Sequence, residues 1–330
     1  MTQAQTQAFD FHHFLHKPDD QAGEFLRWAQ SIKDSPGIPF DVPEVDHAVL
    51  PLRKGTETIL LGRPGMCKTS MLLALARQES DRIVARGAWE DQAVVYVSYE
   101  QTAEELSAIL QTNIPLEDLV RGRADELTIR QTSYPMVKRG LWIVGHGLSR
   151  ADPRAPRLTP ENVWRTIRVI QEEYHREITL LCFDYLQIVP IEHARDRVQA
   201  VTEIPIRVKE LAMAIGCPVV LAAQAGRQVD EYQWPIPALA DCQWGSSIEQ
   251  AADLVLALWR PYNTFGPDAD PIPAGVIDGN SYPVTDKLLV MRMLKQRFLS
   301  GHKTWPLYLD PETLELGYMT VKKEPLAEAW

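Results

Sequence analysis

The chain has 330 residues, 45% hydrophobic and 24% charged, which is an ordinary globular composition with material for one large core or two small ones. Its formal net charge is −10. That excludes a protein that coats nucleic acid by bulk electrostatics, so any such contact must be local.

In chain order, residues 1–36 read as a peripheral arm. "AGEFLRWAQSIKDS" has helical spacing, with Phe25, Leu26, Trp28 and Ile32 as its apolar positions. Two readings stand for it: a helix packed on its own domain, or an arm docking on a neighbouring subunit. The proline-rich "SPGIPFDVPEVDHAVLP" is an irregular lead-in. After it, strand and helix alternate. "ETILLG" is a strand ending at Gly62, "TSMLLALARQES" a helix, "AVVYVSYE" a buried strand ending at Glu100, and "AEELSAILQ" a helix. "LWIVG" is the next strand candidate. Thr159-Pro160-Glu161 then starts a helix with a capping hydroxyl, proline at the first position and an acid. "ITLLCFDYLQIV" is a strand apolar enough to need both faces covered, as in a parallel sheet. "VTEIPIRVKELAMAIG" reads as a helix with Pro205 near its first turn, and "CPVVLAAQ" and "ADLVLALWR" as strands. "KLLVMRMLKQR" and "TWPLYLDPETLELGY" read as late strands with a hairpin. Residues 261–286 carry turn residues without periodicity and read as a surface loop. The alternation predicts an α/β fold with a mostly parallel central sheet flanked by helices.

Four scattered cysteines (Cys67, Cys182, Cys217, Cys242), with no CxxC pair and no metal-type spacing, fit reduced thiols in a cytoplasmic protein. The first residues lack the pattern of a secretory signal, and no stretch approaches the ~20 apolar residues of a membrane helix. Residues 121–157 hold eight Lys/Arg against three acids. Such a run is either a solvated surface or a local contact for DNA or a partner.

The chemistry concentrates in "GRPGMCKTS", from Gly62 to Ser70. Between a strand and a helix it matches a phosphate-binding loop, G-x-x-x-x-G-K-[ST], except that Cys67 stands where the last glycine belongs. The candidate nucleotide-binding residues are Gly62, Arg63, Pro64, Gly65, Met66, Cys67, Lys68, Thr69 and Ser70. Their backbone N–H groups would hold phosphate oxygens, Lys68 would reach the β- and γ-phosphates, and Thr69 would help hold Mg²⁺. Asp184, ending "LLCFD", is the matching carboxylate for the metal. Glu100 is a candidate base that orients water, and Gln224, ending "VVLAAQ", a candidate γ-phosphate sensor. Such polar residues at the ends of apolar strands meet at the carboxyl edge of a parallel sheet. At Cys67, a positive φ would bring local strain of ~1–2 kcal/mol, whereas close phosphate approach alone would accommodate the small thiol. The expectation is a working but weakened site, sensitive to thiol modification.

"GRPGMCKTS", "VYVSYEQTAEEL", "FDYLQIV", "AAQAGRQ", "SSIEQAADLVLALWRP" and "KQR" occur in the order found in bacterial replicative helicases of the DnaB family, which the chain resembles over roughly residues 37–318. "GIPFDVPEVDHAV" resembles the segment leading into that family's ATPase domain. The resemblance implies a RecA-like P-loop NTPase core over 37–330, using ATP and Mg²⁺. It implies a homohexameric ring with ATP sites between subunits, translocating on single-stranded DNA, with a primase or loader as possible partner. It assigns Lys68 and Thr69 to the phosphate-loop pair, Glu100 to the catalytic glutamate and Asp184 to the metal-associated aspartate. It assigns Gln224 to the glutamine linking nucleotide state to the DNA loops. Lys295 and Arg297 match the cations given to the neighbouring subunit's nucleotide.

The chain departs from the family at three places. About 36 residues stand where the family has a separate N-terminal helical domain. Gln243 and Trp244 replace an arginine and a glutamate near the DNA backbone, and Trp244 either stacks on a base or packs against a neighbour. Cys67 replaces glycine. The leading expectation is a ring-forming DNA helicase or translocase. The alternative is a RecA-like ATP-binding assembly or loader protein that does not unwind.

Overall fold

The computed structural model describes residues 15–320 apart from 112, 149–151, 153, 191–196, 243–244 and 300. They fall into two compact units divided between Gly37 and Ile38. In the first, α1 (Pro18–Asp34) opens with proline in its first turn and with Asp19 and Asp20, where the helix dipole favours acids. Phe25, Leu26 and Trp28 on it are exposed.

The second unit begins with the proline-rich lead-in, which is more ordered than its composition suggests. It contains α2 (Pro43–Asp46), and Asp46 ties the turn by accepting from the N–H groups of Phe40 at 2.7 Å and Val42 at 3.2 Å. The alternating core follows: β1 (Glu57–Gly62), α3 (Lys68–Ala85), β2 (Gln92–Ser98) and α4 (Ala103–Gln111). Two short helices not foreseen from the sequence come next, α5 (Leu116–Val120) and α6 (Glu126–Ser133), then β3 (Leu141–Val144) and α7 (Pro160–Glu172). β4 (Glu177–Asp184), α8 (Arg197–Ile215), β5 (Val219–Gln224), α9 (Gly245–Ala251) and β6 (Leu254–Trp259) continue the pattern. The last described elements are α10 (Pro261–Phe265) and the strands β7 (Leu288–Gln296), β8 (Thr304–Leu309) and β9 (Leu316–Tyr318).

These strands make one nine-stranded sheet in the order β3-β2-β4-β5-β1-β6-β7-β8-β9. The six strands from β3 to β6 are parallel, and the last three join antiparallel. The two-residue side-chain period divides each strand between two cores. Leu60 and Tyr96 belong to the core that holds the apolar face of α3, whereas Ile59, Leu61 and Val95 belong to the core with Val163 and Ile167 of α7 and Val208 of α8. Helices therefore cover both faces, as the apolar strands require. The expected cap of α7 is present, with the Thr159 hydroxyl accepting from the Asn162 N–H at 3.2 Å.

Two expectations are corrected and a third is refined. The strand expected over 178–189 stops at Asp184 and gives way to a 3-10 turn at Leu186–Ile188. The helix expected from 201 starts at Arg197, so Pro205 lies in its interior. Residues 261–286 are mostly exposed, as a surface loop would be, but they also bury apolar side chains. Ile272 and Tyr282 pair through both backbone groups at 2.8 and 3.0 Å, and with Ile277 and Val284 they form a third core against Trp259 and Val290. Apolar residues spaced without period are buried here by irregular chain.

Candidate nucleotide site

The parallel topology turns β1, β2, β4, β5 and β6 so that all five end at one edge of the sheet, where the site forms. β1 runs straight into the loop 62–67, and α3 begins at Lys68. At Gly62 a Cβ would sit 3.1 Å from the Leu258 carbonyl oxygen of β6, so the close approach of two strands favours glycine. Cys67 has φ +57° and ψ +27°, the left-handed region that favours glycine. Of the two cases weighed for this position, the strained one holds.

A cleft of about 440 Å³ opens over the loop. Pro64, Gly65, Cys67, Lys68, Thr69 and Ser70 line it together with Glu100, Asp184 and Gln224. The Lys68 ammonium donates to the Arg63 carbonyl at 2.8 Å. Burial lowers the Lys68 pKa to about 8, opposed by the charges of Asp184 and Glu100. Burial also holds the Asp184 carboxyl above the usual range, while hydrogen bonds from Thr69 and Tyr96 and the charge of Lys68 pull it back. The Tyr96 hydroxyl donates to Asp184 Oδ2 at 2.9 Å. A buried carboxylate beside a hydroxyl is a hard oxygen donor set suited to Mg²⁺.

Glu100 is exposed just beyond β2. A capping box fixes the chain after it: the Thr102 N–H donates to Glu105 Oε2 at 2.8 Å and the Glu105 N–H returns to the Thr102 hydroxyl at 3.3 Å. At Gln224, the buried Gln187 side chain binds both backbone groups, accepting from the N–H at 3.0 Å and donating to the carbonyl at 3.1 Å. This extends the β4–β5 pairing by one side-chain rung at the strand ends.

Sequence reasoning missed Arg260, Asn263, Tyr185 and Pro311, which also line the cleft. Asn263 Nδ2 donates to the Gly65 carbonyl at 2.7 Å, and the Arg260 N–H reaches Met66 Sδ at 3.2 Å. Burial pushes the Cys67 thiol up, against the nearby Arg260 guanidinium. Arg260 ends "LVLALWR" at the same edge as Asp184 and Gln224, so the strand-end rule applied to those two would have found it.

Lys295 and Arg297 are not in this cleft. β7 runs antiparallel to β6, with Lys295 opposite Val255 and Gln296 opposite Leu254, at the start of β6. β1 pairs there at Thr58, so the two cations lie about four strand residues, roughly 13 Å, from the Gly62 level. Lys295 Nζ donates to the Ala252 carbonyl at 2.5 Å, and Arg297 pairs with Asp253 at 3.2 Å. Asp253 also accepts from Lys209 at 2.5 Å and from the Glu57 N–H at 2.8 Å. Beside this cluster the Glu57 carboxyl is fully buried, with neither oxygen hydrogen-bonded among the described residues. Burial raises its pKa to about 8, opposed by Lys209 and Lys295 and assisted by Asp253.

Four of the eight cations in the basic run at 121–157 are paired in place. Arg121 and Arg123 pair with Glu117, Arg130 with Glu126, and Arg154 with Asp152. That favours the solvated reading. Gln243 and Trp244 lie outside the described residues. All four cysteines are free, and three of them are buried. No helix among the described residues is long and apolar enough to cross a membrane.

Known proteins share this fold. The family model "DnaB-like helicase C terminal domain" matches residues 37–275. The chain is similar to the replicative DNA helicase DnaB of Helicobacter pylori (strain ATCC 700392 / 26695), 27% identical over 233 residues, covering 68% of this chain and 44% of the relative. DnaB of Rickettsia prowazekii (strain Madrid E) is 24% identical over 290 residues, covering 85% and 58%. The chain thus spans about half the length of these relatives. Among solved structures, one that consists of an ATPase domain superposes with a TM-score of 0.71 at 18% identity, covering 93% of this chain and all of that one. A DnaB-like replicative helicase solved in a study of its interactions with primase gives 0.68 at 18%, covering 93% and 68%. The sheet and its flanking helices are therefore the RecA-like fold of these ATPase domains.

Proposed function

We infer the function from one premise: this chain belongs to the DnaB-like helicase C-terminal domain family. We propose that it is an ATP-driven, ring-forming helicase or translocase acting on single-stranded DNA in replication. The observation that carries this reading is the cleft in which Lys68, Thr69, Asp184, Glu100 and Gln224 meet. Lys68 neutralises the β- and γ-phosphates, and the N–H groups at the start of α3 bind their oxygens. Thr69 and Asp184 would hold Mg²⁺, whose charge would offset that of the phosphates. Glu100 orients the attacking water and takes its proton, and Gln224 senses the γ-phosphate.

Lys295 and Arg297, at the far edge of the sheet, cannot serve their own chain's cleft. Their position supports the reading that they complete the site of an adjacent copy, so that hydrolysis depends on assembly into a ring, by expectation a hexamer. The exposed Phe25, Leu26 and Trp28 support residues 1–36 as an arm that docks on a neighbouring copy. The relative solved in a study of its interactions with primase makes a primase or loader the class of protein partner to test.

The deciding experiment is ATP hydrolysis by the purified chain with and without single-stranded DNA, together with strand separation on a forked duplex. DNA-stimulated hydrolysis and unwinding are expected. ATP binding with neither effect would overturn the reading.

A further inference from the structure

Arg63 is the second residue of the phosphate loop, yet its guanidinium turns to the segment after β5. Nε and Nη2 donate to the two carboxylate oxygens of Asp230 at 2.8 and 2.7 Å, and Nη1 donates to the Ala225 carbonyl at 3.2 Å. The Arg63 side chain is 14% exposed. The pairing holds the Asp230 carboxyl below its usual range. The backbone of the same residue faces the nucleotide chemistry, since its carbonyl accepts the Lys68 ammonium. One residue thus touches the phosphate-binding lysine at one end and the segment after the candidate sensor strand at the other.

That segment is a closed loop. Ala225 and Cys242 form a β-bridge at its base, and the Gly226 N–H donates to the Asp241 carbonyl at 2.7 Å. The buried Asp241 carboxylate accepts from the Ala238 N–H at 2.8 Å and from the Tyr232 hydroxyl at 2.7 Å. A pull on Asp230 therefore moves a braced loop and not one side chain. A planar guanidinium gripping two oxygens transmits a shift that a single flexible contact would absorb.

We propose that Arg63 is a positioning residue that ties the phosphate loop to residues 226–242, so that nucleotide in the cleft sets the position of that loop. The inference rests on the reading of the cleft as an ATP site. A γ-phosphate competes with the Arg63 carbonyl for the Lys68 ammonium. When Lys68 changes partner, the Arg63 peptide is released and the fork carries the change to Asp230. Coupling of this kind is reciprocal, so cutting the fork also alters nucleotide affinity.

The test combines two measurements on the full chain. A fluorescent ATP analogue gives affinity, and hydrogen–deuterium exchange of peptides covering 226–242 is followed with and without saturating ATPγS and Mg²⁺. Asp230→Asn removes the charge at a half-exposed position with little change of shape, and thermal unfolding checks that the variant is folded. The wild type should show nucleotide-dependent exchange in 226–242. Asp230→Asn should lose that dependence at saturation and shift affinity about fivefold. Arg63→Lys, which keeps the charge without the fork, should retain only part of it. Nucleotide binding by the wild type with unchanged exchange in 226–242 overturns the inference alone, as does a wild-type response in Asp230→Asn. A wild type that binds no nucleotide overturns the ATP-site reading and the inference with it.

Discussion

Cys67 offers the sharpest test of the phosphate loop, because the structure fixes its backbone at φ +57°. A side chain in this left-handed region costs ~1–2 kcal/mol relative to glycine. Glycine returns part of that gain, since its freer backbone loses ~0.5–1 kcal/mol more on ordering. About 1 kcal/mol remains in favour of Cys67→Gly. If the strain draws the loop away from its phosphate-binding shape, that energy appears as a larger competent fraction and about fivefold tighter nucleotide binding. Cys67→Ala is the control: it also removes the sulfur and its contact with Arg260, but keeps the Cβ and the strain. Titration of each variant with a fluorescent ATP analogue, beside thermal unfolding, separates the two effects. Equal affinity and equal stability of the glycine and alanine variants would refute the strain argument.

Three further outcomes are expected. Glu100→Gln should lower ATP turnover by about 10²- to 10⁴-fold while leaving nucleotide affinity near wild type; unchanged turnover would remove Glu100 as the base. Arg297→Ala should cut hydrolysis on the order of a thousandfold. Mixing it with Lys68→Ala chains should restore activity, because each variant supplies the half-site the other lacks, and a mixture that gives only the average of its parts would refute action in trans. Glu57 concerns stability. In the folded chain it keeps its proton up to about pH 8, against an ordinary value of 4.5. The folded state thus binds the extra proton between those limits, and stability falls as pH rises from about 4.5 to about 8. Glu57→Gln keeps the neutral shape and should flatten that fall in urea midpoints measured at about pH 5, 6.5 and 8; an unchanged slope would be contrary.

The alternating core was legible because parallel strands buried on both faces leave long apolar runs, and because α7 carries a local start signal at Thr159. The cleft was legible for a related reason: a polar residue closing an apolar strand marks the carboxyl edge, as at Asp184 and Gln224. What stayed hidden depends on contacts distant in sequence. Nothing local says that Gln187 grips the backbone of Gln224, or that Asn263 holds Gly65. The third core escaped because Ile272, Ile277 and Tyr282 are buried without any period. Pro205 pointed to a helix start, yet the packing of α8 holds it in the helix interior.

The separation of Lys68 from Lys295 and Arg297 across the sheet has a consequence for counting. On the proposed reading, each chain carries two unlike halves of a site, one at each edge, so the contact between copies would be head-to-tail. A lone chain would then have no complete site. An open row of copies has one site fewer than it has chains, and only closure brings the two numbers level. Activity per chain should therefore rise with concentration and step up again when the last gap closes, which makes the rate of hydrolysis a gauge of whether the assembly is open or shut.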